Sequence, residues 1–178
     1  MTGTKAAVTT PGEPLDATLT AADLRCRVVT VSTRAAAGVY EDLTGPVIVT
    51  ALTGLGCAVE GPMVVADGAP VEAALRDAIA AGVDAVVTTG GTGFTPTDRT
   101  PERTRAVLDL EIPGIAEALR ARGVAEGVQT AVFSRGVVGV AGRTLVVNLP
   151  GSRGAVRDGL DVVLPLMVEA VRHLRGSR

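Results

Sequence analysis

The chain has 178 residues, of which 47% are hydrophobic and 2% aromatic, and its formal net charge is −2. This length and hydrophobic content suffice for one folded domain with a sizeable core. The weak charge and the few aromatic side chains provide neither a basic field nor stacking platforms, and no apolar run is long enough to span a membrane, so we expect neither a nucleic-acid nor a membrane partner.

The scarcity of certain residue types excludes several kinds of site. His173 is the only histidine, Lys5 is the only lysine, and the two cysteines are Cys26 and Cys57. A histidine-based triad, a zinc site, a disulfide framework and a Walker A loop within the domain therefore all lack the residues that they need. Unpaired thiols and the lack of a recognisable export signal predict a cytoplasmic location.

The first half of the chain predicts alternating strands and helices. Residues 1–22 show no periodicity, so we expect a flexible N-terminal tail followed by a single domain at 23–178. The predicted elements are a strand at 26–31, a helix from a cap at Asp42 to about Leu55, a strand at 58–65, a helix at 70–81 and a buried strand at 85–89. This β-α-β-α-β order favours parallel strands.

The second half predicts further helices and one hairpin. The elements are helices at 101–110 and 115–122, a further helical stretch within 123–134, hairpin strands at 136–140 and 144–148, and a last helix at 153–174 that Ser152 can cap. Pro165 is expected to bend or divide the last helix. The whole pattern predicts a three-layer α/β fold, with helices on both faces of a mostly parallel sheet that carries one antiparallel hairpin.

Residues 86–101, VVTTGGTGFTPTDRTP, join a strand end, a glycine-rich loop and a helix start. Gly90, Gly91 and Gly93 lack a Cβ, so the backbone there can take positive φ and turn its N–H groups towards one point. Thr100 can cap the following helix, whose positive end then faces the loop. This geometry suits a phosphate, and a glycine-rich turn without a ligand is the alternative.

Three polar residues follow predicted strands at the same edge of the sheet. Asp98 lies in the glycine-rich loop and is interpreted either as a Mg²⁺ ligand or base, or as a turn or capping aspartate. Asp67 precedes Gly68 and is either a turn aspartate or a second carboxylate beside Asp98. Ser32 follows the first strand, where α/β sheets keep their ligand crevice, and a turn serine is the alternative.

Five short motifs occur together between Arg25 and Leu174. They are VSTR at 31–34, DG at 67–68, TTGGTGFTPTDRTPE at 88–102, SR at 134–135 and NLPGS at 148–152. Together they resemble the molybdopterin-binding family of molybdenum-cofactor synthesis, which includes bacterial molybdopterin adenylyltransferases and the G domain of gephyrin. The resemblance implies Mg²⁺-dependent transfer of AMP from ATP to molybdopterin, with release of pyrophosphate, by a homotrimer or hexamer. A non-catalytic binding protein or oligomerisation module of the same fold is the alternative.

The resemblance also implies roles for individual residues. Asp67 and Asp98 match catalytic and metal-holding carboxylates. The expected substrate-binding residues are Ser32, Gly90, Gly91, Thr92, Gly93, Ser134, Asn148, Pro150, Gly151 and Ser152. Three positions depart from the family pattern, which often has Asp where Thr33 stands, commonly Arg where Thr97 stands, and usually Pro where Arg153 stands.

Overall fold

A computed structural model describes residues 18–176, and within this range six strands form one mixed sheet. The strands are β1 (Arg25–Val31), β2 (Ala58–Val65), β3 (Ala85–Thr89), β4 (Leu110–Glu111), β5 (Val138–Ala141) and β6 (Thr144–Leu149). Their order in the sheet is β2-β1-β3-β6-β5-β4. The first four in this order are parallel, whereas β5 runs antiparallel to β6 and β4 antiparallel to β5. The predicted mixed α/β fold is confirmed.

Six α-helices lie around this sheet in the described range. They are α1 (Thr33–Ala36), α2 (Gly45–Leu55), α3 (Ala69–Ala80), α4 (Thr100–Arg105), α5 (Pro113–Ala125) and α6 (Arg153–Gly176), with 3-10 turns at Ala21–Asp23 and Gln129–Phe133. No helix in residues 18–176 is both long enough and apolar enough to cross a membrane.

Two hydrophobic clusters fix the helices on opposite faces of the sheet. All five residues of β3 and all six of β6 are buried, as expected for central strands covered on both faces. On one face, Ile48 of α2 and Met167 of α6 pack with Val87. On the other face, Leu75 of α3 packs with Val86. Each large apolar side chain removed from water in this way stabilises the fold by about 1.5–3 kcal/mol.

Several predicted helix limits differ from the structure. The helix predicted at 101–110 ends at Arg105, because Leu110 and Glu111 instead pair with β5 as the edge strand β4. The further helix expected within 123–134 is wrong: α5 reaches Ala125, Gly127 turns the chain at φ 86°, and only a 3-10 turn follows.

Pro165 does not divide the last helix, which is continuous from Arg153 to Gly176. Val163 before the proline and Met167 after it are both buried in the same cluster. The burial of apolar side chains along one face of the helix stabilises it more than the loss of one backbone hydrogen bond at the proline destabilises it.

The packed part of the chain reaches back into the segment expected to be a tail. Leu19 is buried in the core, and its carbonyl accepts a hydrogen bond from Arg172 at 3.1 Å. Arg175 donates to the carbonyl of Asp23 at 2.9 Å, so α6 holds the entry to β1. Residues 1–17 of the expected tail lie outside the described residues.

Candidate functional site

Four loops meet at the edge of the sheet where the parallel strands end. Ser32 follows β1, Asp67 follows β2, residues 90–98 follow β3, and residues 150–152 follow β6. The β3 and β6 loops touch directly, because the N–H of Gly90 donates to the carbonyl of Leu149 at 3.1 Å and a Cβ on Gly151 would lie 3.2 Å from the Cα of Gly90. The four loops therefore form one continuous surface.

The glycine-rich loop needs its glycines for both conformation and space. Gly90 and Gly91 have φ values of 96° and 62°, whereas Gly93 does not have positive φ. A Cβ on Gly90 would collide with the carbonyl of Val31, and one on Gly93 would lie 2.8 Å from Oδ2 of Asp98. Positive φ and close approach both disfavour any residue with a side chain at these positions.

The same loop has backbone N–H groups that no protein atom uses. Within residues 18–176, the amides of Gly91, Thr92 and Gly93 donate to no acceptor of the chain. Free amides on consecutive residues attract an anion. The loop therefore has the donors of the predicted phosphate site.

Two cavities flank the β3 and β6 loops, and together they contain all the predicted site residues. The first, of about 670 Å³, is called here the carboxylate cavity. It is lined by Ser32, Asp67, Gly90, Gly91, Asp98 and Gly151. The second, of about 290 Å³, is called the apolar cavity. It is lined by Thr92, Gly93, Ser134, Asn148, Pro150 and Ser152.

The two cavities differ in the rest of their walls. Arg34, Tyr40 and Arg153 also line the carboxylate cavity and add charged and polar groups to its wall. Leu119, Val128 and Phe133 from α5 and the turn after it line the apolar cavity. Arg120 and Asp158 also line the apolar cavity, but most of its wall is apolar, so it suits a flat ring, whereas the carboxylate cavity suits a charged ligand group with metal.

Each predicted catalytic carboxylate is held by one oxygen. Oδ2 of Asp67 accepts from the N–H and the hydroxyl of Thr33, at 3.2 and 2.7 Å. Oδ2 of Asp98 accepts from the N–H and the hydroxyl of Thr95, at 2.9 and 2.6 Å. Within the described chain, Oδ1 of neither aspartate accepts a hydrogen bond, so each keeps an oxygen for a ligand.

Asp42 is a third aspartate of the carboxylate cavity, and both of its oxygens are occupied. Oδ2 accepts from the Thr30 hydroxyl at 2.6 Å, and Oδ1 accepts from the N–H groups of Thr44 and Gly45 at 2.9 and 3.0 Å. Burial acts to raise the pKa of Asp42, but these hydrogen bonds outweigh it and hold that pKa below its usual range. Asp42 thus anchors the start of α2 from outside the helix, which begins at Gly45 with Thr44 at its N-cap and not at Asp42 as predicted.

The donor set fits a hydrated Mg²⁺ better than a metal held by protein alone. Among residues 18–176, no three His, Cys, Asp or Glu side chains form a group that could hold a metal ion. Mg²⁺ in nucleotide sites typically takes one or two carboxylates and completes its shell with phosphate oxygens and water. The free oxygens of Asp67 and Asp98 fit this pattern and would be the protein ligands.

Arg135 holds the glycine-rich loop in place by hydrogen bonds to its carbonyl groups. Its Nε donates to the carbonyl of Gly93 at 2.7 Å and its Nη2 to that of Asp98 at 2.8 Å, while Nη1 pairs with Glu102. Burial acts to raise the pKa of Glu102, but the hydrogen bond from Arg135 holds it below its usual value. The SR motif gave the position of Arg135, but its contacts depend on the folded loop.

Two of the predicted binding residues make hydrogen bonds within the protein. The amide nitrogen of Asn148 donates to the hydroxyls of Thr88 and Thr104, both at 3.0 Å, and its oxygen accepts from the N–H of Val137 at 3.2 Å. Both the nitrogen and the oxygen of its side-chain amide therefore have hydrogen-bond partners within the protein, in the wall of the apolar cavity. Ser152 accepts from the N–H of Ala155 at 3.3 Å, so it caps α6 as expected.

Tyr40 and Arg34 line the carboxylate cavity, Phe133 lines the apolar cavity, and each contacts a neighbouring side chain. The hydroxyls of Tyr40 and Ser32 share a hydrogen bond of 2.7 Å, and the Arg34 guanidinium lies 5.0 Å from the Tyr40 ring centroid. Phe94 packs edge-on against Phe133 with 5.4 Å between ring centroids. Phe133 is therefore a packing partner of Phe94.

Comparison with known proteins identifies the family. A family model described as "Probable molybdopterin binding domain" matches residues 27–169. The Mog protein of molybdopterin biosynthesis from Mycobacterium ulcerans has a solved structure that is 50% identical, with a TM-score of 0.82, over 86% of this chain and 98% of that one. A molybdopterin adenylyltransferase from Pyrococcus furiosus is 38% identical over 83% of this chain and 89% of its own length.

A longer relative is the molybdenum cofactor biosynthesis bifunctional protein of Synechococcus elongatus, which is 40% identical over 84% of this chain. The match covers 47% of that relative, so the chain spans about half its length. The sequence resemblance is thereby confirmed, and the chain belongs to the molybdopterin-binding domain family of molybdenum-cofactor biosynthesis.

Proposed function

We propose that the protein transfers AMP from ATP to molybdopterin with the help of Mg²⁺, giving adenylyl-molybdopterin and pyrophosphate. One observation carries the proposal: two carboxylates with free oxygens and a run of unbonded amides lie where a charged cavity meets an apolar one. The relatives named as molybdopterin adenylyltransferases support the same reaction class.

The two cavities suggest how the substrates are divided. The carboxylate cavity takes the ATP phosphates, and Arg34 and Arg153 on its wall offset their charge. The apolar cavity takes the flat pterin ring between Leu119 and Phe133. The terminal phosphate of molybdopterin then lies at the glycine-rich loop, beside the α-phosphorus of ATP.

In the transfer step, an oxygen of the molybdopterin phosphate forms a bond to the α-phosphorus as the bond to pyrophosphate breaks. The phosphate is already ionised near neutral pH, so the attacking oxygen needs no general base. The protein's task is positioning and charge neutralisation, which suits a site without histidine or lysine. Mg²⁺, when bound, would neutralise the phosphate charge that Asp67 and Asp98 would otherwise repel.

The amides of the loop 91–93 bind and orient phosphate oxygens in this scheme. Arg135 keeps those amides in place through the carbonyls of Gly93 and Asp98. Thr100 adds a second brace, because its hydroxyl donates to the carbonyl of Gly90 at 2.9 Å. A braced loop needs little rearrangement when charge shifts in the transition state.

We also propose a homotrimer, which could pair into a hexamer, in a reducing cytoplasm. Exposed apolar side chains at Phe94, Val132 and Phe133 offer a surface for contact between copies. Cys26 and Cys57 are both free and buried, in keeping with a reducing compartment. Light scattering after size exclusion would measure the mass, and a monomer at micromolar concentration would refute the trimer.

The test of the reaction is release of pyrophosphate from Mg²⁺-ATP. We expect release only when molybdopterin is added, together with adenylyl-molybdopterin in equal amount. A protein that only binds molybdopterin would release none. Release in the absence of molybdopterin would identify an ATP hydrolase instead, and would refute the proposed acceptor.

A further inference from the structure

Thr33 links the loops after two neighbouring strands. It is the first residue of α1, which follows β1, and it contacts Asp67, which follows β2. Its N–H and hydroxyl donate to Oδ2 of Asp67 at 3.2 and 2.7 Å, and its hydroxyl oxygen accepts from the N–H of Asp67 at 3.1 Å. Three hydrogen bonds therefore join two residues that are 34 positions apart.

These bonds determine where the free oxygen of Asp67 points. With Oδ2 held by Thr33, Oδ1 lies 2.8 Å from the place that a Cβ on Gly91 would occupy. The unbound oxygen is thus aimed at the glycine-rich loop. A carboxylate fixed in this way does not lose side-chain freedom when it binds a ligand.

Asp98 provides a contrast within the same cavity. Its anchor, Thr95, is three residues away in the same loop, so the contact is a local turn. The anchor of Asp67 comes from a different element, and without the Thr33 hydroxyl only one backbone N–H of Thr33 would still hold it. The Thr33 hydroxyl makes two hydrogen bonds with Asp67, whereas the Thr95 hydroxyl makes one with Asp98, so Asp67 depends more on a single hydroxyl.

We propose that Thr33 is a positioning residue, which orients Asp67 so that Oδ1 is presented to a divalent cation on the nucleotide phosphates. This inference rests on the proposed function. Thr33 is solvent-exposed and lies in a helix of four residues, so its hydroxyl has no part in the core. Its removal changes the aim of Asp67 while the fold is kept.

The experiment measures binding of Mn²⁺, a spectroscopic substitute for Mg²⁺, by electron paramagnetic resonance with a non-hydrolysable ATP analogue and no molybdopterin. Thr33→Val keeps the shape and the backbone N–H but removes the hydroxyl. We expect the Mn²⁺ dissociation constant to rise about tenfold, which is typical for loss of a group that orients a metal ligand. Thr33→Ser restores the hydroxyl and should bind as the wild type does.

Two controls separate positioning from a general effect. Thr50→Val makes the same change in α2, where the hydroxyl donates to the carbonyl of Pro46 at 2.8 Å, and should leave Mn²⁺ binding unchanged. In an Asp67→Asn background, Thr33→Val should cause no further loss, because the residue that it orients is already impaired. Binding of the analogue without metal should be equal in wild type and Thr33→Val.

The outcomes distinguish this inference from the proposed function. If Thr33→Val binds Mn²⁺ as tightly as wild type, or still weakens it tenfold in the Asp67→Asn background, the positioning role is wrong and the proposed reaction stands. If the wild type binds neither the analogue nor Mn²⁺ with it, both proposals fail. Thr33→Ala, which also lacks the hydroxyl, must agree with Thr33→Val, and a difference between them would overturn the role.

Discussion

The two cavities share a wall but are built in different ways. The carboxylate cavity is made by the ends of parallel strands and their loops, and its polar atoms are held by short hydrogen bonds such as that of 2.7 Å between Thr33 and Asp67. The apolar cavity depends on α5 and the 3-10 turn after it, which supply mostly apolar packing surface together with one charged side chain, Arg120. In the proposed function, the strand ends therefore bind the charged groups, and a helix that packs beside them contacts the pterin ring.

This division implies that the two halves of the site can be damaged separately. A change in the carboxylate cavity should affect metal, nucleotide and the chemical step. A change in the apolar cavity should affect molybdopterin alone. The glycine-rich loop is the shared wall, so a change there should disturb both.

The largest effect is expected from loss of the negative charge of either carboxylate. Asp67→Asn and Asp98→Asn should each lower the rate of AMP transfer by about 10³-fold, because both remove negative charge from the cation site while keeping size. Quenched-flow measurement of pyrophosphate release gives this rate. The affinity for molybdopterin, measured by the fluorescence of that ligand, should change less than about twofold, because its ring is proposed to bind in the other cavity.

The control for these variants is Asp161→Asn, because Asp161 is an exposed aspartate of α6 that pairs with Arg122 at 3.0 Å, away from both cavities. It should keep the wild-type rate. Rapid transfer by both site variants would mean that the carboxylates are turn residues and that the charged cavity has no catalytic part.

The next effect concerns the shared wall. Gly90→Ala would place a methyl group against the Val31 carbonyl at φ 96°, so we expect the free energy of unfolding to fall by about 2–4 kcal/mol. Gly114→Ala in α5 has open space around its Cβ and should instead stabilise by about 0.5–1 kcal/mol. Urea titration measures the unfolding free energies of the two variants. Equal values would show that the glycine-rich loop can shift to accommodate the methyl group.

The sequence predicted the carboxylate cavity better than the apolar one. Ser32, Asp67 and Asp98 could be placed together because the ends of parallel strands share one edge, a rule that needs only the order of the elements. The apolar cavity depends on where α5 stops and turns, and the stretch 123–134 gave no clear period. The two-residue strand β4 was missed because its pairing with β5 is visible only in the folded sheet.

Asn148 shows the same limit at the level of one residue. Its motif placed it correctly at the end of β6, but a sequence does not reveal whether an amide faces a ligand or the interior. In the structure its hydrogen bonds to Thr88 and Thr104 join two strands and α4. Family resemblance therefore predicted which residues form the candidate site, while tertiary contacts determine which of their polar atoms remain available.

A moderate effect is expected from a substitution that should change the KM for molybdopterin but not the KM for ATP. Ala155 of α6 is partly buried on the wall of the apolar cavity, and Ala155→Leu would fill part of its volume. We expect the KM for molybdopterin to rise about tenfold, while the KM for Mg²⁺-ATP stays within about twofold. Steady-state kinetics with each substrate varied in turn measures both constants.

Ala73→Leu, on the exposed face of α3 and away from both cavities, is the matched control and should change neither constant. A raised KM for ATP in Ala155→Leu, with that for molybdopterin unchanged, would reverse the assignment of the cavities.

The smallest effect tests whether the three aspartates of the carboxylate cavity are equivalent. Asp42 uses both oxygens on Thr30, Thr44 and Gly45, so Asp42→Asn should lower stability by about 1 kcal/mol at pH 7. It should lower AMP transfer far less than Asp67→Asn does. A loss of transfer as large as that of Asp67→Asn would make Asp42 part of the cation site.

The pH dependence of Asp42→Asn follows from the lowered pKa of Asp42 in the folded protein. A carboxyl group with a depressed folded pKa contributes its full stability above its unfolded pKa of about 4, and loses it as the pH falls through the folded value. The difference in unfolding free energy between wild type and Asp42→Asn should therefore be constant from pH 7 to about 5 and shrink below about 4. Urea unfolding at each pH measures it, and a difference that grew on acidification would mean that Asp42 is protonated more readily in the folded state.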